Sequence, residues 1–336
     1  MKETENHKAF PLLTPDIILQ LAEQQLHCRC QAICRQLNSY INRVYELQTV
    51  DGQGLIIKFY RPGRWSRQAI EEADQFTQEL QEQEIPVVAP LLLSNGTSLA
   101  QYKEIVFSIF PKTGGRFLDE FSEEQWLAIG RLLGRMHQAG ASQTADNRET
   151  LHPRKTTAAQ VDFLTGSDFM PPHLRDAFRH ICSELITLIT PLFANKETIR
   201  LHGDCHFANL IHRPGQGFFL IDFDDMINGP PIQDVWMLFP SYHQESLPEI
   251  ELFLEGYQTF RPFNRSSLCL IEPLRAMRYI HYAAWCAHQS VDAGFLRQNP
   301  DWGSELYWQE EINDLAKQVE RIQQKPDRAT NNPMYK

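Results

Sequence analysis

The sequence predicts an α+β protein with two lobes, a small strand-rich lobe followed by a larger and mostly helical one. Short apolar runs bounded by turn residues fill the first third of the chain, with one amphipathic helix inserted among them. After a proline and paired glycines at 111–115, apolar residues recur mostly at helical spacing. We therefore predict an N-terminal lobe over 1–110, a hinge at 111–115, a C-terminal lobe over 116–325 and a frayed tail over 326–336.

The first lobe should begin with a helix that runs from Thr14-Pro15 to about Leu26, because a capping threonine precedes a proline suited to the first turn. Asp51-Gly52-Gln53-Gly54 predicts a hairpin turn between two of the strands. Apolar spacing predicts a second helix over 68–83. The predicted strands of this lobe are 32–37, 44–50, 55–60, 87–93 and 105–110.

The second lobe is predicted to be helical around one hairpin. Trp126, Ile129, Leu133 and Met136 recur at helical spacing, whereas the segment 146–159 is polar and irregular. The predicted helices are 123–138, 173–193, 248–260, 267–289 and 304–324. The hairpin has a short apolar strand at 210–211, a turn at 214–217 and a return strand at 218–221.

The stretch from Leu201 to Asn209 carries the most specific chemical pattern in the chain. Asp204, Asn209 five positions later, and Asp222 after the predicted hairpin are the set that moves a phosphoryl group from Mg–ATP to a hydroxyl. Asp204 would accept the proton of the acceptor hydroxyl. Asn209 and the second catalytic acid, Asp222, would hold Mg²⁺, because carboxylate and amide oxygens suit this hard ion. The hairpin is expected to bring Asp222 back beside Asn209.

The nucleotide half of the site is predicted from the first lobe. Lys58 lies within an apolar strand, where a buried lysine is costly unless a partner neutralises it. We expect Lys58 to reach the α- and β-phosphates of ATP, tethered by Glu72 on the following helix, with Glu71 as the rival partner. No G-x-G-x-x-G loop precedes Lys58, and Ser39 in the turn at 38–43 is the candidate for binding phosphate oxygens.

Asp234 is assigned a supporting role. It lies in Gly229-Pro230-Pro231-Ile232-Gln233-Asp234-Val235-Trp236, twelve positions after Asp222. We expect it to cap the next helix and to hydrogen-bond the catalytic loop from behind.

Six segments, taken together, resemble the bacterial stress-response serine/threonine protein kinases that have the aminoglycoside-phosphotransferase type of the protein-kinase fold. The similarity runs from about residue 14 to about residue 324, with Phe207 and Ala208 as departures inside the catalytic loop. It implies a bilobal kinase-like fold, ATP as the donor, Mg²⁺, Ser and Thr acceptors in proteins, and a role in a stress response that counters cell death. It also implies Asp204 as proton acceptor, Asn209 and Asp222 as Mg²⁺ ligands and Ser39 as an ATP-loop site. The segments are 38–45, 57–62, 134–137, 201–206, 229–238 and 271–278.

Three other functions are weighed against this one. His202, Asp204 and His206 alternate, as ligands of a zinc hydrolase can, but neither a third His motif nor a catalytic Glu pattern accompanies them. A small-molecule kinase acting on an amino alcohol, a homoserine-like compound or an antibiotic would fit an acidic pocket around Asp224, Asp225 and Glu272. A nucleotide-binding pseudokinase is disfavoured, because the residue set for catalysis is complete.

Composition limits the partners. The net charge is −10 and there is no long basic run, so neither nucleic acid nor an anionic membrane is expected as the main partner. The first ten residues lack an apolar core, and no apolar run approaches membrane-spanning length. Seven dispersed cysteines fit reduced thiols better than a disulfide framework. We expect a cytoplasmic monomer.

Overall fold

The computed structural model describes residues 10–39, 41–290 and 293–324, so the tail predicted at 326–336 lies outside it. The described strands are β1 (Cys30–Leu37), β2 (Arg43–Thr49), β3 (Gly54–Phe59), β4 (Ala100–Tyr102), β5 (Ile105–Pro111), β6 (Ile199–Leu201), β7 (Leu210–Arg213), β8 (Gly217–Leu220) and β9 (Ile227–Gly229). The described α-helices are α1 (Pro15–Leu26), α2 (Arg67–Glu82), α3 (Glu123–Gly140), α4 (Ala158–Gly166), α5 (Arg175–Ile189), α6 (Gln233–Trp236), α7 (Leu247–Tyr257), α8 (Ile271–Gln289), α9 (Ala293–Gln298) and α10 (Glu305–Gln323).

The first five strands form one antiparallel sheet in the order β1–β2–β3–β5–β4. The predicted hairpin turn joins β2 to β3, and Gly52 there has a φ of 90°, which few residues other than glycine adopt. Ile18 and Ala22 of α1 pack with Leu47, Ile57 and Phe107 of the sheet in one buried cluster. The register places Lys58 of β3 between Val44 of β2 and Ser108 of β5.

The first three helices begin at capping side chains, of which the sequence analysis predicted Thr14. The Thr14 hydroxyl accepts a hydrogen bond from the Ile17 amide at the start of α1. The Ser66 hydroxyl does the same for Ala69 at the start of α2. Ser122 and Gln125 form a capping box at the start of α3, so local chemistry fixes all three N-termini.

The strand predicted at 87–93 is wrong. Val87 forms only an isolated bridge with Leu220, and the rest of the segment is irregular. Pro86 and Pro90 have no backbone N–H, so a continuous ladder cannot form across this segment. Several short elements were not predicted, among them β4, β6, β9, α4 and α9.

The catalytic hairpin predicted at 210–221 is present. Leu210 pairs with Leu220 and Arg213 with Gly217, so β7 and β8 run antiparallel from a tight turn. The helices α3 and α7 pack closely against each other. A Cβ at Gly130 would lie 2.1 Å from the Phe253 carbonyl oxygen, and one at Gly256 would lie 2.1 Å from that of Leu127. Glycine at both positions therefore allows the two helix backbones to touch.

The chain divides into two compact units. The first comprises the described residues up to Thr150 together with Thr198–Ser241 and Ser246–Phe263. The second comprises Leu151–Glu197, Tyr242–Glu245 and the described residues from Asn264 onward. All nine described strands belong to the first unit, including those on both sides of 111–115, so the lobe boundary placed there stays a prediction.

The second unit is a helical assembly with its own core. Residues of α5 and α10 pack together, with the rings of Phe178 and Trp308 centred 5.5 Å apart. Trp308 donates from its indole nitrogen to the Phe169 carbonyl at 2.8 Å, which satisfies its one polar atom. None of the helices in the described residues combines the length and apolar character needed to cross a membrane.

Candidate active site

The hairpin brings two of the predicted site residues together. Asn209 directly precedes β7. Asp222 is the second residue after the end of β8, with Ile221 between them. The Ile221 amide donates to the Asn209 carbonyl at 3.1 Å, which extends the ladder to the site. The Asn209 side-chain nitrogen donates to the Asp204 carbonyl at 2.9 Å, and no hydrogen bond in the described chain uses its Oδ1. Asp204, Asn209 and Asp222 therefore belong to one small region of the first unit.

His202 holds the loop that carries Asp204. It is fully buried, and its Nε2 lies 2.8 Å from the Ile221 carbonyl oxygen. Since a carbonyl only accepts, Nε2 carries the proton, and Nδ1 accepts from the Asp204 amide at 3.3 Å. The Asp204 carboxylate lies 3.4 Å from Nε2 of His206. His202 therefore sets the backbone at Asp204 and has no ring nitrogen left for a metal.

Asp234 supports the same loop from behind, as the sequence predicts. Its carboxylate is fully buried and accepts from the amides of His202 at 2.7 Å and Gly203 at 2.8 Å. Nε2 of His137, on α3, lies 3.2 Å from the same carboxylate, and Nδ1 of His137 lies 2.9 Å from the Tyr257 hydroxyl. The predicted capping role is wrong, because Asp234 lies inside α6 and its side chain is used entirely by the loop and His137.

Lys58 reaches the site from β3 and contacts two carboxylates. Its Nζ lies 2.8 Å from Oδ1 of Asp222 and 2.9 Å from Oδ1 of Asp224. Burial would lower the pKa of Lys58, but the two negative charges outweigh burial and raise that pKa well above its ordinary value. Burial and the charge of Asp222 raise the pKa of Asp224 to about 6. Burial also raises the pKa of Asp222, but the positive charge of Lys58 outweighs burial and holds the pKa of Asp222 below its usual range.

The predicted ion pair between Lys58 and Glu72 is not formed, and the rival Glu71 does not replace it. The Glu72 carboxylate accepts from the backbone amides of Asp146 and Asn147, both at 2.9 Å. Glu71 pairs with Arg67 one turn earlier on α2, at 2.8 Å. The hairpin supplies the partners of Lys58 instead, and a separation of more than 160 positions in the chain leaves no local signal for that pairing.

Two residues of the site were missed by the sequence analysis. Asn42 is buried and donates from Nδ2 to Oδ2 of Asp224 at 2.6 Å. Arg148, also buried, donates from Nη1 to the Asp224 carbonyl at 2.7 Å. Asn42 stands in the segment examined for phosphate binding, whereas Arg148 stands in a polar segment without a pattern. Ser39 lies between β1 and β2, and its phosphate-binding role stays a prediction.

The oxygen atoms at the end of the hairpin fit a hard divalent cation. The Asn209 amide is oriented by the bond from its nitrogen to Asp204, which leaves an amide oxygen for a metal. Asp222 supplies a carboxylate beside it, and such a pair of oxygen ligands suits Mg²⁺. The described residues contain no group of three or more His, Cys, Asp or Glu side chains that could hold a metal. Both ring nitrogens of His202 are engaged with the backbone, so His202 does not offer the ligand that the zinc alternative requires.

The chain is similar to known proteins over its whole length. The phosphotransferase enzyme family model matches residues 33–270. Stress response kinase A of Escherichia coli O157:H7 is 37% identical over 334 residues, which cover 98% of this chain and 100% of that protein. The serine/threonine protein kinase RdoA of Salmonella typhimurium (strain LT2) is 35% identical over 333 residues, which cover 98% of this chain and 99% of that protein.

Two solved structures show the same fold at low sequence identity. The amicoumacin kinase hAmiN, in complex with AMP-PNP, Ca²⁺ and Ami, aligns with a TM-score of 0.71 at 20% identity, covering 91% of this chain and 92% of hAmiN. A microcompartment-associated aminopropanol kinase aligns with a TM-score of 0.67 at 15% identity, covering 92% of this chain and 96% of that one. With the predicted α+β, kinase-like fold confirmed, the extent of the family match and the full-length relatives place this chain in the phosphotransferase enzyme family, as a kinase.

Proposed function

We propose that the protein is an ATP- and Mg²⁺-dependent serine/threonine protein kinase that transfers the γ-phosphoryl group to protein hydroxyls. The observation that carries the proposal is the convergence of Asp204, Asn209, Asp222 and Lys58 at one end of the β7–β8 hairpin. Relatives that cover the full chain and are named as a stress response kinase and as a serine/threonine protein kinase support the protein acceptor and a stress role.

In this mechanism Asp204 orients the acceptor hydroxyl and accepts its proton as transfer proceeds. Its backbone is fixed by His202 and by the side-chain amide of Asn209, so the residue is positioned before the acceptor arrives. Lys58 carries a firm positive charge, because two carboxylates raise its pKa, and it neutralises phosphate oxygens. Charge stabilisation of this kind is the main catalytic contribution for a loose phosphoryl transition state.

Asn209 and Asp222 would hold the magnesium ion. When bound, that ion would neutralise charge on the β- and γ-phosphates, as in other phosphoryl-transfer sites. Asp222 is suited to the task because its carboxylate remains ionised beside Lys58. The fold neighbour solved with AMP-PNP and Ca²⁺ supports the use of a nucleotide with a divalent cation.

A small-molecule kinase is the second candidate, because solved fold neighbours include kinases of amicoumacin and of aminopropanol. The acidic pocket predicted for a cationic acceptor is weakened by its own contacts. Asp224 is bound by Lys58, which also contacts Asp222, and Asp225 is paired with Arg64, so both carboxylates already have a cationic partner. Glu272, in the second unit, is paired with Arg275. These pairs favour the protein acceptor.

Asp222→Ala tests the metal and nucleotide part of the proposal. Wild-type protein should gain thermal stability from Mg–ATP by mass action, and the variant should lose that gain. Glu46→Gln is the control, since Glu46, on β2, pairs with Arg35 and Lys112 and its loss should leave the gain intact. A gain of the same size in Asp222→Ala would remove Asp222 from the site. Nucleotide binding without turnover on proteins, amino alcohols or antibiotics would support a pseudokinase.

A further inference from the structure

The two carboxylates that hold Lys58 have different surroundings. The Asp222 side chain is 48% exposed and stands next to Asn209 at the end of the hairpin. The Asp224 side chain is only 12% exposed, and both of its oxygens are engaged, Oδ1 with Lys58 and Oδ2 with Asn42. A carboxylate fixed at both oxygens is better suited to positioning a cation than one that must also serve a metal.

Asp224 is held by residues from two other segments. Asn42, whose Nδ2 binds Asp224, accepts from the Arg61 amide at 3.0 Å through its Oδ1. Asn42 precedes β2 and Arg61 follows β3, so the bond pattern ties both strands to Asp224. Arg148 binds the Asp224 carbonyl, and the adjacent Asn147 is bound by Glu72 of α2. The helix carboxylate therefore acts on the loop beside Asp224 and not on Lys58.

We propose that Asp224, held by Asn42, is the positioning residue for Lys58. It has the role that the sequence analysis assigned to Glu72 on α2. This inference rests on the proposed function, in which Asp222 serves the metal. Once Asp222 does so, Asp224 is the partner that keeps Lys58 directed at the phosphates. Asp224 acts through Lys58 and need not touch the nucleotide.

A double-mutant cycle on nucleotide affinity tests the proposal, with Mg–AMP-PNP as the probe and titration calorimetry as the readout. Asp224→Asn keeps the size of the side chain but removes its charge, and its single amide oxygen can accept from Asn42 or from Lys58 but not from both. It should weaken affinity at least about tenfold in the wild-type background. In a Lys58→Met background the same change should cost less than about twofold, because there is no lysine left to position.

Asn42→Ala provides a second variant that leaves both charges in place. It should weaken affinity in the same direction, and this loss should also vanish in Lys58→Met. Glu46→Gln removes a carboxylate of the sheet that carries Lys58, but Glu46 pairs with Arg35 and Lys112 and not with Lys58. This variant should change affinity less than about twofold. A loss from Asp224→Asn that is equal in both backgrounds indicates a purely structural role and overturns the proposal.

The cycle also separates failure of this inference from failure of the proposed function. If wild-type protein binds no Mg–AMP-PNP, the proposed function fails. The same four proteins are then compared by urea unfolding without nucleotide, where the Lys58–Asp224 pair predicts that the double variant loses less stability than the two single losses added. Additive losses would overturn the pairing itself.

Discussion

Asp234 is the residue whose loss should most disturb the catalytic loop. The Asp234 carboxylate accepts from two buried amides and faces His137, and Asp234→Asn replaces one of its oxygens with a donating NH₂ group. Buried donors left unpaired cost about 1–3 kcal/mol each, so we expect the free energy of unfolding to fall by about 2–4 kcal/mol. Urea denaturation measures this. Asp51→Asn, in an exposed turn, should stay within about 0.5 kcal/mol of wild type, and an equally small change in Asp234→Asn would contradict the account.

Asp74 should make stability depend on pH. It is 5% exposed on α2, and burial raises its pKa to about 7, against hydrogen bonds from Ser98 and Ser108 that lower it. The unfolded chain releases this proton near pH 4 and the folded protein near pH 7. Folding therefore becomes less favourable as pH rises between these values, by about 1.4 kcal/mol per pH unit.

Asp74→Asn removes this dependence. Its stability relative to wild type should be greater at pH 8 than at pH 5 by roughly 2–3 kcal/mol, measured by urea denaturation at both pH values. Glu46→Gln is the control, because hydrogen bonds from Lys112 and Arg35 lower the pKa of Glu46 and no such gain should appear. If the free energy of unfolding of Asp74→Asn differs from that of wild type by the same amount at both pH values, Asp74 titrates normally.

For single residues, the local sequence pattern identified the members of the site better than the side chains that they contact. The loop spacing located Asp204 and Asn209, and the hairpin turn located Asp222, because each depends on a short stretch of chain. The partner of Lys58 could not be found this way. Asp224 meets it across 166 positions, and nothing local distinguishes Asp224 from Glu72 as a lysine partner.

Among the elements, the catalytic loop depends on Gly203. Its φ is 88°, and an added Cβ would lie 1.9 Å from the Asp225 carbonyl oxygen. Gly217 has a φ of 89° but nothing within 4 Å of its Cβ position, so Gly217→Ala reports the backbone strain alone. We expect Gly203→Ala to lose at least about 2 kcal/mol more stability than Gly217→Ala, with reduced turnover. Equal losses in urea denaturation would show that the close approach is not needed.

Elements with a clear period were predicted to within a few residues. The helices α1, α2 and α3 have caps and apolar stripes, and the β7–β8 hairpin has a turn signal. The failures lack such signals. The three residues of β4 are too few to show alternation. The strand predicted at 87–93 had apolar character, but Pro90 within it and Pro86 directly before it prevent a ladder.

For the whole molecule, the similarity over 98% of the chain supports kinase activity but does not identify the acceptor. The segment between Asp222 and Asp234 is short and contains no Ser, Thr or Tyr. We therefore expect selectivity to come from surface contacts with a protein acceptor, and slow labelling of the enzyme's own Ser and Thr residues. The monomeric state and the cytoplasmic location stay predictions.

Phosphoamino-acid analysis after incubation with labelled ATP and Mg²⁺ tests the central claim most directly. Wild-type protein should produce phosphoserine or phosphothreonine on a generic basic protein substrate and on itself. Asp204→Asn should bind Mg–ATP within a few-fold of wild type while its turnover falls by at least about 10²-fold, the scale for losing a positioned base. Near-normal turnover in Asp204→Asn, or ATP turnover that responds only to a small amino alcohol or antibiotic with no protein labelled, would contradict the account.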